Sequence, residues 1–202
     1  MQAGPDQEQK LIERARRGDA DAYGDLVRMH QNRIYNAACY LVSDRETARD
    51  ITQDVFLRAY EKLDGFRGDA KFGTWIYSIM LNMVRNLWRK RSRRSGMVRL
   101  DKENADGDAH MPDPPSPRSG PLEVTDQKER AARVREAIDR LKGSLKEVLV
   151  LRDIEGLSYE EISDVMELPM GKVKSRLYRA RRSLKEELEP VFGTGSESRE
   201  RE

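Results

Sequence analysis

Five of the eight prolines in this 202-residue chain, Pro112, Pro114, Pro115, Pro117 and Pro121, fall within ten residues near its middle. Proline fixes φ and removes a backbone donor, so no helix or sheet runs through such a stretch, and one continuous run of regular structure is excluded. From Asp101 to Asp126 seven acids stand against only Lys102 and Arg118, and periodic apolar residues nearly vanish. Residues 96–126 are therefore read as a flexible, acidic, extended linker. It separates an N-terminal piece, 10–95, from a C-terminal piece, 127–190. The tail over 191–202 is polar and is read as disordered.

Both pieces carry apolar residues at helical spacing. In the first, Tyr23, Leu26, Val27, Ile34, Ala37, Ala38 and Leu41 form one block. Ala48, Ile51, Val55, Ala59 and Leu63 form a second, and the run from Phe72 through Trp75, Ile76, Ile79 and Met80 to Leu87 forms a third. Ser43 or Asp44 can cap the second helix, and Asp64-Gly65 offers it a left-handed stop. The second piece holds four such blocks: Val134 to Leu141, Leu145 to Leu151, Leu157 to Met166, and Val173 to Leu188. No alternating β-branched run bounded by turns interrupts them, so the fold class is all-α, with two small helical domains on a tether.

The 38 basic and 36 acidic side chains nearly cancel, but they are not evenly spread. Seven bases and no acids lie between Arg85 and Arg99, and seven more, again without acids, between Gly171 and Lys185. Blocks of this kind suit a polyanion, because each neutralised phosphate releases condensed counterions. The second block follows a short helix capped by Ser158, with Glu161 at the capping-box position, and a break at Glu167-Leu168-Pro169-Met170, which together read as a helix-turn-helix. A turn of 100° per residue buries Val173, Leu177, Ala180 and Leu184. It turns Ser175, Tyr178, Arg179 and Arg182 outward, with Lys174 and Arg176 at the flanks, as donors for guanine or phosphate. Six acids between Asp153 and Glu167 give the preceding half the opposite sign, so that half faces away from DNA or serves a protein partner.

The first basic block follows a glycine-rich corner, Gly65, Gly68 and Gly73, that gathers Phe66, Phe72, Trp75 and Tyr77. Aromatic rings beside the amides of Asn82 and Asn86 and the guanidiniums of Arg85 and Arg89 suit unstacked bases. Trp75, on the stripe with Ile79, also reads as core. Enzymatic chemistry is not expected: His30 and His110 sit in unrelated contexts, and neither a Ser/His/acid set nor a glycine-rich phosphate loop appears. One cysteine, Cys39, and two histidines cannot assemble a zinc cage, so neither a metal nor another cofactor is expected. The longest purely apolar run, Ala37 to Val42, is six residues, too short for a membrane span, and Met1 to Lys10 lacks a signal-peptide core. A cytoplasmic protein is expected.

Five segments carry a family resemblance: Asp50-Ile-Thr-Gln-Asp-Val-Phe56, Phe66-Arg-Gly-Asp69, Phe72-Gly-Thr-Trp-Ile-Tyr77, Gly156-Leu-Ser-Tyr-Glu-Glu-Ile162 and Gly171-Lys-Val-Lys-Ser-Arg176. In this order they resemble bacterial extracytoplasmic-function sigma factors, across both pieces. The resemblance implies a promoter-specificity subunit of RNA polymerase. Its first domain, sigma region 2, would bind the core polymerase clamp through Asp50, Gln53, Asp54 and Phe56. The same domain would capture the melted -10 element through Phe66, Lys71, Phe72, Asn82, Arg85, Asn86 and Arg89. Its second domain, sigma region 4, would read -35 duplex through Lys174, Ser175, Arg176, Tyr178, Arg179 and Arg182 and meet the polymerase flap. The linker would thread toward the active-site cleft. The resemblance also implies an anti-sigma protein as partner, and no homo-oligomer. Lys172 stands where the family commonly has threonine, and Gly73 where many members carry a larger residue. A helix-turn-helix regulator acting without polymerase is the competing reading, and it leaves the aromatic corner unexplained.

Overall fold

The computed structural model describes residues 5–68, 70–94 and 124–192. Most of the expected linker and the tail from 193 onward lie outside them. Among the described residues every regular element is a helix. The N-terminal domain comprises α1 (Pro5–Arg16), α2 (Ala20–Val42), α3 (Arg45–Glu61) and α4 (Phe72–Arg94). The C-terminal domain comprises α5 (Val124–Arg140), α6 (Gly143–Leu149), α7 (Tyr159–Met166) and α8 (Met170–Phe192). Since α5 starts at Val124, residues 124–126 are helical and not part of the expected linker.

Local chemistry fixes where these helices begin and end. The Ala22 amide donates to the Asp19 carboxylate at 3.0 Å, capping α2, and Ser43 ends the helix in a left-handed conformation with φ 61°. Asp44 caps α3 by accepting from the Thr47 amide at 2.8 Å, so Ser43 closes one helix and Asp44 opens the next. The left-handed stop expected at Gly65 is absent. A 3-10 turn over Leu63–Gly65 continues from α3 and buries Leu63, and the positive φ of 80° falls at Gly68. The amphipathic α1, not resolved by the sequence reading, buries Leu11, Ile12 and Ala15 under α2.

The Asp44 cap has a pH signature. The Thr47 hydroxyl and amide hold its carboxyl below the ordinary aspartate value. Its stabilisation is therefore complete above the unfolded value of about 3.9 and is lost as pH falls through the lower folded value. Thermal melts from about pH 5 to pH 2 should show Asp44→Ala less stable than the parent at the upper end and converging with it at the lower. Asp44→Asn, which keeps a capping oxygen, should melt close to the parent near pH 5.

The core of the first domain is built from Leu26, Ile34 and Leu41 of α2, Val55 of α3, and Ile76 and Met80 of α4, all essentially sealed from solvent. That of the second comes from Ile138, Leu149, Leu151, Ile162, Val173 and Leu177. Each large side chain so buried contributes about 1.5–3 kcal/mol over leaving it in water. Beyond Leu149 the helix widens into a π-helical turn, Val150–Ile154, which closes with the Glu155 amide donating to Val150 O at 3.0 Å. Gly156 then reverses the chain at φ 72°.

The two domains do not hang apart on a tether. Their buried residues form one continuous cluster, in which α4 packs along α7 while α2 touches the π-helical turn, α5 and α6. The benzene ring of Trp88 on α4 lies so close to Gly143 that a Cβ there would come within 2.8 Å of it. Glycine at the first position of α6 is what lets the two domains close.

Candidate nucleic-acid interface

The helix-turn-helix has the geometry the sequence implies. The Ser158 side chain accepts from the Glu161 amide at 3.1 Å, and the Ser158 amide donates back to the Glu161 carboxylate at 2.8 Å, which completes the capping box of α7. Glu167, left-handed at φ 55°, ends α7, and its neighbour Leu168 donates its amide to Ser163 O, setting the angle at which α8 leaves. Along α8, Val173, Leu177 and Ala180 are buried, with Leu184 packed against the core. Lys174, Tyr178, Arg179 and Arg182 are exposed, as the helical wheel requires, and Ser175 is half-buried. Lys174 rides above the Tyr159 ring at 5.9 Å, and Arg182 donates to Glu186 at 2.9 Å, one turn on.

Arg176 departs from its expected place. It is only 8% exposed, and burial together with the nearby Arg179 and Arg85 guanidiniums pulls its pKa down.

The aromatic corner also differs from expectation. Phe66 is 5% and Phe72 1% exposed, so neither ring offers a free face to a base. They stack on each other and on Trp75, with ring centroids 4.9–5.7 Å apart. Their packing against α4 outcompetes exposure in the glycine-rich corner, and they act as the bed on which the half-buried Trp75 rests. Beside this bed lies a cleft of about 260 Å³, walled by Phe66, Gly68, Thr74, Trp75 and Ser78 and, from the other domain, by Asp164 and Val165. Asn82, Asn86 and Arg89 are exposed on α4, with Arg89 donating to Asn86 at 2.6 Å. Gly73 leaves room for the His30 ring, 3.4 Å from where a Cβ would stand, and that ring pairs with Glu8 of α1 at 2.7 Å.

The first domain carries a second surface. Between α2 and α3 runs an open groove of about 800 Å³, walled by Tyr23, Val27, Tyr35, Phe56, Leu57 and Tyr60. The Tyr23 hydroxyl donates to Phe56 O and fixes the floor. Asp50, Gln53 and Asp54 are exposed on α3, with Gln53 on the groove itself, whereas Phe56 is buried in its wall. Leu57 and Tyr60, 55% and 48% exposed, were missed by the sequence reading. They continue the stripe of Gln53 at i+4 and i+7, a spacing that identifies them once that stripe is known to be open to solvent.

Two helical modules in this order, one bearing an aromatic bed and a basic helix, the other a helix-turn-helix, define a sigma-70-type transcription factor. The sigma-70 region 2 family matches residues 26–94, and the sigma-70 region 4 family matches residues 131–184. Over 190 residues the chain is 39% identical to the RNA polymerase sigma-H factor of Pseudomonas aeruginosa, covering 93% of this chain and 96% of that one. It is 35% identical over 188 residues to the ECF RNA polymerase sigma-E factor of Haemophilus influenzae, covering 92% and 97%. The solved structure of CnrH in complex with the cytosolic domain of CnrY is similar with a TM-score of 0.67 at 27% identity, covering 91% of this chain and 98% of that one. The sigma factor RpoE of Bartonella quintana, in complex with the anti-sigma factor NepR, shares the fold at TM-score 0.61 and 24% identity, covering 83% and 96%. The chain belongs to the extracytoplasmic-function (ECF) sigma factors of the sigma-70 family.

Proposed function

We propose that the chain is a promoter-specificity subunit of bacterial RNA polymerase that engages core enzyme through the α2/α3 groove and promoter DNA through α4 and α8. The observation that carries this reading is the presence of both sigma modules, in order, on one chain. Gln53, Leu57 and Tyr60 supply an apolar strip edged by the acids Asp50 and Asp54, suited to a helical partner with a mixed apolar and basic face. Asn82, Asn86 and Arg89 lie open for the separated -10 strand, while Phe66 and Phe72 support Trp75 from beneath. Lys174, Tyr178 and Arg179 on α8 read the -35 duplex, and Arg182 contacts phosphate. Residues 10–95 and 124–190 are the two working domains, and 96–123 is the connection. The chain has no catalytic role of its own and works in the cytoplasm. An anti-sigma protein is its further partner; CnrH, similar at 27% identity, is likewise held in a complex, with the cytosolic domain of CnrY.

Run-off transcription with purified core polymerase tests the role, since a sigma factor starts transcripts and a helix-turn-helix repressor does not. Within that assay, opening each base-pair step costs about 1.4 kcal/mol, and each base held on the protein returns about 1–3 kcal/mol. Asn82→Ala should therefore leave closed-complex formation nearly intact and lower permanganate reactivity of -10 thymines. A template mismatched across the -10 region should rescue it. Equal defects on paired and mismatched templates would remove Asn82 from melting.

A further inference from the structure

Three acids on the second domain, Glu147, Glu155 and Glu161, accept hydrogen bonds from side chains of the first. Arg85 on α4 donates through two nitrogens, each at 2.8 Å, to the two oxygens of Glu147 on α6, whose side chain is 3% exposed. Burial pushes the Glu147 carboxyl up from its ordinary value, and the Arg85 guanidinium opposes that shift. Glu155, at the end of the π-helical turn, accepts the Tyr77 hydroxyl at 2.6 Å, and its backbone carbonyl accepts Arg33 at 2.6 Å. Lys71 donates to Glu161 of α7 at 2.8 Å. Asp164 of the same helix stands at the cleft beside Phe66 and Trp75.

Two of the groups so occupied, Lys71 and Arg85, belong to the set that the resemblance implies for the -10 strand, and the cleft beside the aromatic bed is the place a displaced base would enter. Arg176, which the resemblance implies for the -35 element, is 8% exposed and has the Arg85 guanidinium nearby. Carboxylates at these positions present to the first domain what phosphates would: negative oxygen at hydrogen-bond distance from a basic helix, beside rings.

We infer that α7, the end of α6 and the π-helical turn form an internal ligand for the strand-binding face of the first domain, so that the free chain holds itself closed and single-stranded nucleic acid competes with its own second domain for that face. The inference rests on the assignment of α4 as a strand-binding helix. The contacts are not of equal weight. Lys71 is largely solvated, so its pair with Glu161 contributes little, whereas the sealed Glu147 carboxylate on the half-buried Arg85 and the fit of Trp88 over Gly143 hold the seam.

Two full-length variants test this without touching a residue assigned to nucleic acid or polymerase. Glu147→Gln/Glu155→Gln/Glu161→Gln removes the carboxylate charges and keeps the capping box, which glutamine also completes. Gly143→Leu leaves every charge in place and meets the Trp88 ring, at a backbone position outside the left-handed region. Dyes on Lys62→Cys and Lys185→Cys report the interdomain distance by energy transfer. A labelled single-stranded oligodeoxynucleotide of mixed sequence reports strand binding, and circular dichroism verifies helix content.

Energy transfer should fall in both variants at unchanged helicity, and affinity for the oligonucleotide should rise about tenfold, since a site available in a fraction of molecules binds weaker by that fraction. Unchanged transfer in both variants overturns the inference. So does a fall in transfer with no gain in oligonucleotide affinity. Run-off transcription with saturating core polymerase, measured on the same variants, reads the sigma assignment separately: transcripts from variants that fail the binding test leave that assignment standing while the internal ligand falls.

Discussion

Replacing Arg85 with methionine is expected to weaken the closed arrangement by about 3–5 kcal/mol, because the Glu147 carboxyl is left sealed without its partner. Methionine keeps most of the stem that packs between the domains, so the loss comes from the orphaned carboxylate. Adding Glu147→Met to the same chain should recover most of the stability, since the sealed carboxyl left without a partner is then exchanged for an apolar side chain of similar volume. The four chains of this double-mutant cycle, compared by urea denaturation, give the coupling directly. Equal losses in Arg85→Met and in the double variant would show that the stem, and not the charge, holds the seam.

The second large effect belongs to Arg176. In polymerase-bound factor, Arg176→Ala is expected to lower affinity for the -35 duplex by about 1–3 kcal/mol, roughly 5- to 150-fold, and to relax preference at one base pair. Arg182→Ala, whose guanidinium already leans on Glu186, should weaken all sequences alike and flatten the salt dependence. Competition binding across single-base -35 variants at several salt concentrations separates the two. A uniform loss for Arg176 would assign it to phosphate and rotate the reading face of α8 toward Tyr178 and Arg179.

The helices were legible because each is decided locally. Apolar residues recur at 3.6-residue spacing from Leu26 to Leu41 and from Val173 to Leu184, and Ser158 with Glu161 announces a helix start in four residues. The outward face of α8 followed from the same periodicity, Tyr178 and Arg179 included. What could not be read was anything decided across distance. Arg33 and Glu155 lie 122 residues apart and Arg85 and Glu147 62, and no periodicity pairs one acid among 36 with one base among 38. The acids between Asp153 and Glu167 were legible as a surface that faces away from DNA or serves a protein partner, but not as one whose partner is the same chain. Phe66 and Phe72 failed for a related reason: a glycine-rich corner looks open in sequence, and only the packing of α4 against it closes the rings away. The short α1 went unread because Leu11, Ile12 and Ala15 are too few to set a period, and their burial depends on α2.

Both tryptophans of the chain, Trp75 and Trp88, stand at the meeting of the two domains, one at the cleft reached by Asp164 and the other against Gly143. The molecule therefore carries its own optical gauge. Parting the domains hydrates both indoles together, and a red shift in ultraviolet emission follows the event in real time, in unlabelled protein, at the dilution where a regulator or polymerase is titrated in.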